Sequence, residues 1–457
     1  MSTTEVSPSE AKDQTAQVLR DRFRMPARLA KVPIAEPTPH ETPGFFALSD
    51  THVGYGALAT GATSTESADA PLLAAAPIGA PLPYNPDEVV DALRTEAYID
   101  NDLPDRNGTD AKALVRRAYY FVRPLLATSV RRIAQRRALA GWDTIRQPHW
   151  PVDTTVEEVH RRALGAAMAD GGLTRVPIIW YWPDGYRGAV TITHDVEEAV
   201  GFAFSPEMAR LDNSFGFPSS FQIVPENRYD IDSLVLDEIR AAGCEIGLHG
   251  LNHDGSLFSN HELFSERRPR IEQYAERFGA VGFRSPVMYR HPDWIPELGM
   301  SYDMSFPNVG HLDPQSGGCC TVFPYFLGDT VELPTTCIQD YSLFNILNRF
   351  DLDLWCTQLD IIEAEHGLAN FIIHPDYVTS GKRLEAYKNL LAELDRRCTD
   401  KNLWKARPAD LAEWWRLRNE LELEEVDGQW RIVGQGADRA QIAWAVRSGQ
   451  TVSIELP

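Results

Sequence analysis

The chain has 457 residues, 43% of them hydrophobic, and a formal net charge of −21 at pH 7. This length is sufficient for a large domain with additions, and the acidic balance argues against nucleic acid as the main partner. No stretch approaches the roughly 18 consecutive apolar residues of a membrane-spanning helix. Six cysteines without a Cys-x-x-Cys pair are too few for a disulfide scaffold.

Residues 1–85 are rich in Pro, Ala, Ser and Thr and show little hydrophobic periodicity. This composition predicts an extended or partly disordered arm with at most one short helix, near Glu10–Phe23. The N-terminus has neither a basic start nor an apolar core, so it does not resemble a secretory signal. A cytoplasmic location is therefore expected.

Residues 86–175 are expected to be mainly helical, and they contain a basic segment. Between Lys112 and Arg137, eight Lys and Arg residues occur without an acidic residue and are interleaved with Tyr, Phe, Val and Leu. Such a segment can make peripheral contact with an anionic membrane or meet a phosphate-bearing substrate. The favoured alternative is a helical hairpin, broken near Pro124, whose aromatic residues pack on the protein while its arginines pair with acidic surface.

From residue 176 to residue 420, strand-like and helix-like segments alternate, which predicts a parallel sheet with right-handed crossovers. Seven strands would suit an incomplete, distorted (β/α)7 barrel. The predicted strands lie at 189–194, 219–224, 244–248, 280–284, 301–306, 331–334 and 369–373, and the predicted helices lie at 231–242, 262–278, 351–366, 382–398 and 408–420. Two β-like runs in residues 421–457 predict a small C-terminal β appendage.

Four of the predicted strands lead into polar residues that could perform catalysis. Asp195 ends the first strand, His249 ends another with His253 four residues later, and Arg284 and His374 end two more. Strands that each present a polar residue at the carboxyl end build the active site of a β/α barrel. One carboxylate and two imidazoles give a divalent ion three ligands and leave room for water, so Asp195, His249 and His253 predict a metal site. Alternatively, the two histidines only cap a strand and a turn.

The order and spacing of these motifs resemble the polysaccharide deacetylase family, the carbohydrate esterases with a NodB homology domain, over roughly residues 185–415. The resemblance implies a distorted (β/α) barrel and a metal-dependent hydrolase that removes an acetyl or other short acyl group from an N-acylated amino sugar or related carbohydrate. It also implies that the Asp-His-His triad binds one divalent ion, most economically zinc, with Co, Ni or Mn as further choices.

The resemblance also assigns roles to the remaining motifs. Arg284, in an Arg-x-Pro motif, would orient the catalytic base; otherwise it would form an internal salt bridge. His374, which precedes Pro375, would protonate the leaving amine. Asp303 lies where the family often supplies the carboxylate that holds this histidine, and Asp376 is an alternative.

The first motif departs from the family pattern. The family has Thr-Phe-Asp-Asp, whereas this chain has Thr-His-Asp-Val-Glu at residues 193–197. If Asp195 is the metal ligand, His194 takes the position of the general base. Alternatively, His194 contributes to metal binding and Glu197 or Glu198 is the base, or hydrolysis has been lost.

Aromatic residues after the strand ends are candidates for contact with a sugar ring, whose C–H faces are apolar. Tyr289, Trp294 and Tyr377 are the candidates for substrate binding. A cytoplasmic location favours a small or lipid-linked carbohydrate over a cell-wall polymer. Two other functions stay open: an amidase or deformylase on a non-sugar C–N bond, and a catalytically altered barrel that binds sugar or lipid.

Overall fold

The computed structural model describes residues 16–34, 42–59, 67–68, 72–73, 78–99, 137 and 139–456. The predicted basic segment, except Arg137, lies outside the described residues. The helices are α1 (Ala16–Phe23), α2 (Pro86–Arg94), α3 (Thr155–Asp170), α4 (Ala199–Ser214), α5 (Ser233–Ala241), α6 (His261–Phe278), α7 (Asp353–Ala364), α8 (Gly381–Lys401) and α9 (Pro408–Glu420).

The strands are β1 (Gly44–Ala47), β2 (Val53–Gly56), β3 (Leu72–Leu73), β4 (Arg175–Ile179), β5 (Gly188–Val196), β6 (Ser220–Ile223), β7 (Glu245–His249), β8 (Gly282–Arg284), β9 (Tyr302–Asp303), β10 (Tyr325–Leu327), β11 (Thr330–Glu332), β12 (Leu368–Ile372), β13 (Leu403–Lys405), β14 (Glu422–Val426), β15 (Gln429–Val433), β16 (Ile442–Ser448) and β17 (Thr451–Glu455). Short 3-10 turns include Pro286–Met288 and Pro375–Tyr377, which follow β8 and β12.

One curled sheet dominates the part of the chain that the structure describes. Its order is β10-β11-β9-β8-β7-β6-β5-β12, and β13 also pairs with β5. The strands from β11 to β12 along this order are parallel, and α4, α5 and α6 connect successive strands from β5 to β8. The predicted α/β fold, a distorted (β/α) barrel, is confirmed, and each of the seven predicted strands overlaps an observed one.

The curl is completed between β11 and β12 by hydrogen bonds between β12 and the segment that follows β11. The Cys337 N–H donates to the carbonyl oxygen of Asn370 at 3.2 Å. The Asn370 side chain donates to the carbonyl of Leu333 at 3.0 Å, and the Thr336 hydroxyl donates to the carbonyl of Leu368 at 2.7 Å. A loop with side-chain donors therefore joins the two sides of the barrel.

Helix α4 is absent from the sequence-based prediction. It contains Gly201 and Pro206, which weaken the helical pattern. Phe202 and Met208 are nevertheless buried on this helix. Tertiary packing therefore compensates for a poor intrinsic propensity.

The described part of the N-terminal region contains strands in addition to the one predicted short helix. The predicted short helix corresponds to α1, whose Val18 and Leu19 are buried. β1 and β2 form an antiparallel pair in which Phe46 is buried. The few apolar side chains of this region are grouped, so they reach the core despite the polar average composition.

The C-terminal β appendage joins a strand that precedes the barrel. β16 pairs antiparallel with β17 and with β4, so that Ile442 lies opposite Ile179. β14 and β15 form a separate antiparallel pair. The strands β16 and β17 thus form one sheet with the strand that directly precedes the barrel.

Two expectations from composition can be compared with the described residues. Among these residues, no helix has both the length and the apolar character needed to cross a membrane. The six cysteines are all free thiols, in keeping with the absence of a disulfide pattern in the sequence.

A buried ion pair attaches the segment that follows α2 to the loop after β8. Arg290 Nε donates to Glu96 Oε2 at 2.7 Å, and the side chains are 0% and 2% exposed. We expect Glu96→Gln to lower the free energy of unfolding by about 3 kcal/mol, because it leaves a buried guanidinium without its counter-charge. Urea denaturation followed by tryptophan fluorescence measures this loss.

A double variant and an exposed pair provide the controls. Glu96→Leu with Arg290→Met should recover most of the lost stability, since no unpaired charge remains. Glu238→Gln removes a pair with Arg210 whose side chains are 57% and 61% exposed, and it should cost less than about 1 kcal/mol. A Glu96→Gln protein as stable as the wild type would contradict the structural role of the pair.

Candidate functional site

The candidate site lies at the carboxyl ends of the parallel strands, and β5 with the residue after it supplies two carboxylates. Successive residues of a strand point to opposite faces of the sheet. Asp195 therefore points into the barrel, and Glu197, the first residue after the strand, lies on the same side, so that both approach His249. His194 points outward. The alternation determines which members of the first motif reach the site.

Glu197, His249 and His253 form a cluster whose ligand-type atoms all lie within 4.8 Å of one another. His253 Nε2 lies 2.9 Å and His249 Nε2 lies 3.9 Å from Glu197 Oε1. His249 Nδ1 donates to the carbonyl oxygen of Arg284 at 3.2 Å, which directs Nε2 into the cluster. His249 Nε2 is buried and lacks a hydrogen-bond partner. One carboxylate and two imidazoles, one of which has this unpartnered nitrogen, fit a divalent metal ion.

His253 has an unusual backbone conformation for a residue with a side chain. Its φ is +53°, in the left-handed region. This conformation occurs in the loop that follows β7 and lets the ring approach His249, with ring centroids 5.0 Å apart. Backbone in sparsely populated conformations is found most often at functional sites.

Asp195, predicted as a metal ligand, is bound to Arg284 through one of its two oxygens. Arg284 Nη1 donates to Asp195 Oδ1 at 2.7 Å, and the arginine side chain is 0% exposed. Asp195 Oδ2 lies 3.8 Å from His249 Nε2. Burial raises the pKa of Asp195, but the charge and hydrogen bond of Arg284 and the charges of His249 and His374 together lower it more, so the resulting pKa is below the usual value. The structure thus presents a carboxylate beside the cluster and places Glu197 among the ligand-type atoms.

His194, predicted as the general base, does not face the cluster. Its Nε2 lies 2.8 Å from Asp212 Oδ2 on α4, and its Nδ1 lies 3.0 Å from the carbonyl oxygen of Ile373. Ser219 and Tyr387 also donate to Asp212. His194 therefore belongs to a buried network between the sheet and its outer helices. It does not lie where a general base would be needed, because the strand alternation turns its side chain away from the cluster.

His374 reaches the cluster from the end of β12. Its Nδ1 donates to Asp340 Oδ1 at 2.6 Å, and its backbone N–H donates to Asp340 Oδ2 at 3.0 Å. This leaves Nε2 directed to Glu197 Oε1, 3.6 Å away. Burial lowers the pKa of His374, but Asp340 and Glu197 raise it more, so the pKa lies well above the usual value.

Asp340 therefore holds His374, in place of the predicted Asp303. Asp303 accepts hydrogen bonds from the Ser305 N–H and hydroxyl and lies beside Glu332 in the ladder between β9 and β11. Burial raises the pKa of Asp303. No sequence motif marks Asp340, which lies in the loop that completes the barrel after β11.

The predicted substrate-binding aromatic residues occupy three different surroundings. The Tyr377 ring lies 5.0 Å from the His374 ring, and Tyr289 lines a recess together with His253. Trp294 stacks on His291 with ring centroids 4.1 Å apart and belongs to a separate aromatic group. Two of the three candidates are thus next to the cluster.

The position of His194 yields a test that separates a structural role from a role in the site. We expect His194→Gln to lower the free energy of unfolding by about 2 kcal/mol, because a buried hydrogen-bond network loses a member. Zinc affinity, measured by competition with a chromophoric chelator, should be unchanged. His249→Gln is the matched variant and should lose zinc. Loss of zinc in His194→Gln with unchanged stability would show that His194 acts in the metal site and not in the buried network.

No protein-family model and no curated protein sequence matches this chain. Similar solved structures include a candidate polysaccharide deacetylase from Mycobacterium smegmatis (22% identity, TM-score 0.42, covering 52% of this chain and 93% of that chain). Puue allantoinase (15%, TM-score 0.39, covering 52% and 92%) and the Bc1960 peptidoglycan N-acetylglucosamine deacetylase (12%, TM-score 0.35, covering 50% and 90%) are also similar. The structures found thus include polysaccharide deacetylases, the family that the sequence motifs resemble.

Proposed function

We propose that this protein is a metal-dependent amide hydrolase of the polysaccharide deacetylase type, which removes an acetyl or other short acyl group from an N-acylated amino sugar or related carbohydrate. The observation that carries the proposal is the convergence of three histidines on one carboxylate oxygen. His253, His374 and His249 approach Glu197 Oε1 to 2.9, 3.6 and 3.9 Å. A hydrolytic site needs such ligands next to acid–base groups.

Glu197, His249 and His253 would hold one divalent ion, and zinc suits this set of nitrogen and oxygen donors. When bound, such an ion would polarise the acyl carbonyl and make water a stronger nucleophile. The hydrogen bond from His249 Nδ1 to the Arg284 carbonyl supports this assignment, because ligating histidines usually donate their second ring N–H to an acceptor.

Asp195 would be the general base. Arg284 fixes Oδ1 of this carboxylate, and Oδ2 faces the cluster. A positioned carboxylate can take the proton of the attacking water as the carbon–oxygen bond forms. In this assignment Asp195 replaces His194 as the base, and Glu197 replaces Asp195 as the ligand.

His374 would be the general acid. Since Nδ1 donates to Asp340, a proton on Nε2 points toward the cluster. This proton would pass to the nitrogen of the amide as the carbon–nitrogen bond breaks, so that the products are a free amine and a short carboxylic acid. Tyr377 and Tyr289, beside His374 and His253, are the proposed sugar contacts, and the substrate would be small or lipid-linked.

Metal content and acetate release, measured on the same samples, test this proposal. We expect near one zinc per chain and acetate release from at least one member of a panel of N-acetyl amino sugars. Glu197→Gln should lose both zinc and turnover, because a ligand is removed, whereas Asp195→Asn should keep zinc and lose turnover. Glu198→Gln is the control, since this exposed side chain pairs with Arg228 instead.

Different results would redirect the assignment in defined ways. Zinc lost in Asp195→Asn but kept in Glu197→Gln would restore the original triad. Zinc without release from any sugar, but with release of formate or acetate from non-sugar amides, would identify an amidase or deformylase. Zinc binding without hydrolysis of either panel would contradict the enzyme and favour a binding protein.

The leaving-group acid yields a separate prediction. His374→Ala should keep zinc and lower kcat by at least about 100-fold, since the departing amine loses its proton donor. Asp340→Asn should also lower kcat, because the ring loses the carboxylate that orients it. Asp303→Asn is the matched carboxylate change outside the site and should leave kcat close to the wild-type value. Full activity in His374→Ala would exclude the proposed mechanism.

A further inference from the structure

Glu197 stands just beyond the end of β5, where the sheet no longer fixes the backbone. The strand ends at Val196. The carbonyl of Val196 accepts from the Tyr229 hydroxyl at 2.8 Å, and the carbonyl of Glu197 accepts from Arg228 Nε at 2.9 Å. Side chains therefore replace the ladder as the support of this segment.

The backbone N–H groups of the same segment converge on Asp376. Asp376 Oδ2 accepts from the N–H of Glu197 at 3.0 Å, and Oδ1 accepts from those of Glu198 and Gly201 at 3.1 and 3.0 Å. These groups belong to the first turn of α4 and the residues before it. Such N–H groups have no partner within the helix, and a carboxylate satisfies them with favourable helix-dipole interaction.

The chain makes room for this carboxylate at Gly201. A Cβ atom at that position would lie 2.4 Å from Asp376 Oδ1, closer than two such atoms can approach. Asp376 also lies two residues after His374, in the turn Pro375–Tyr377. The proposed acid, His374, therefore directly precedes this turn, and Asp376 within the turn supports the proposed ligand, Glu197.

We infer that Asp376 is a positioning residue that sets the place of Glu197 in the metal site. Asp376 accepts hydrogen bonds from the backbone of Glu197 rather than reaching the ligand-type atoms itself. The inference rests on the proposed function, because it gives Glu197 the role of a ligand. It assigns Asp376 a task different from the support of His374 that its position in the sequence suggests.

The test measures cobalt(II) affinity by titration, using the visible absorption of the bound ion as a second readout. Asp376→Ala should weaken affinity by about 10- to 100-fold, as loss of an outer support of a ligand does, and should change the absorption band. Asp376→Asn keeps one acceptor oxygen, so its affinity should fall less. Gly201→Ala should weaken affinity in the wild-type background, because its Cβ would clash with the Asp376 carboxylate. In the Asp376→Ala background that carboxylate is gone, so Gly201→Ala should weaken affinity little further.

Asp232→Ala is the matched control. Asp232 caps α5 by accepting from the Leu234 N–H at 2.9 Å, so this variant also loses a helix cap and should have a lowered thermal stability. It should bind cobalt as the wild type does. Asp376→Ala with lowered thermal stability but wild-type affinity and spectrum would overturn the inference, as would additive effects of Gly201→Ala and Asp376→Ala.

Failure of the inference can be told from failure of the proposed function. If the wild-type protein does not bind cobalt or zinc, the metal site itself is refuted. If the wild-type protein binds cobalt and the Asp376 variants have the same affinity and spectrum, the metal site stands and the positioning role is refuted. If Asp376→Ala does not fold, the Asp376→Asn and Gly201→Ala variants supply the same comparison.

Discussion

Strand β5 presents alternate residues to opposite faces, and the candidate site depends on which of them this alternation turns inward. Asp195 and Glu197 share the inner face, where Arg284 binds the first and the histidines approach the second. His194 is turned outward to Asp212. A shift of one residue would exchange these roles. The parallel pairing of β5 with β6 and β12 fixes the register on both sides.

Much of the barrel could be predicted because buried parallel strands are short apolar runs separated by helices. His249 and Arg284 could be found because each ends such a strand, and His374 because it closely follows one. His253 could be found because it follows His249 by four residues. The sequence indicates Glu197 only as an alternative base, because the family motif has two adjacent acids and this chain separates its acids by one residue. Strand period alone would have paired Asp195 with Glu197 and excluded His194.

Other features arise from tertiary contacts that leave no local pattern. Asp340 reaches His374 because the segment after β11 crosses to β12 and completes the curl, where Asn370 binds the carbonyl of Leu333. Closure of the barrel and support of the proposed acid therefore use one loop. Similarly, the average composition of the N-terminal region does not reveal that its apolar side chains are grouped. Leu19 and Phe46, for example, are both buried in the core.

The pairing of β4 with β16 has a consequence for how the chain is made. β4 directly precedes the barrel, yet its antiparallel partner lies about 270 residues further along the chain. Contacts this distant in sequence form late, because a long loop must close first. During synthesis this edge of β4 therefore remains unpaired until the barrel and then β16 have been made. Without β16, the edge of β4 that pairs with it would be unpaired, and an unpaired strand edge can pair with another copy of the chain.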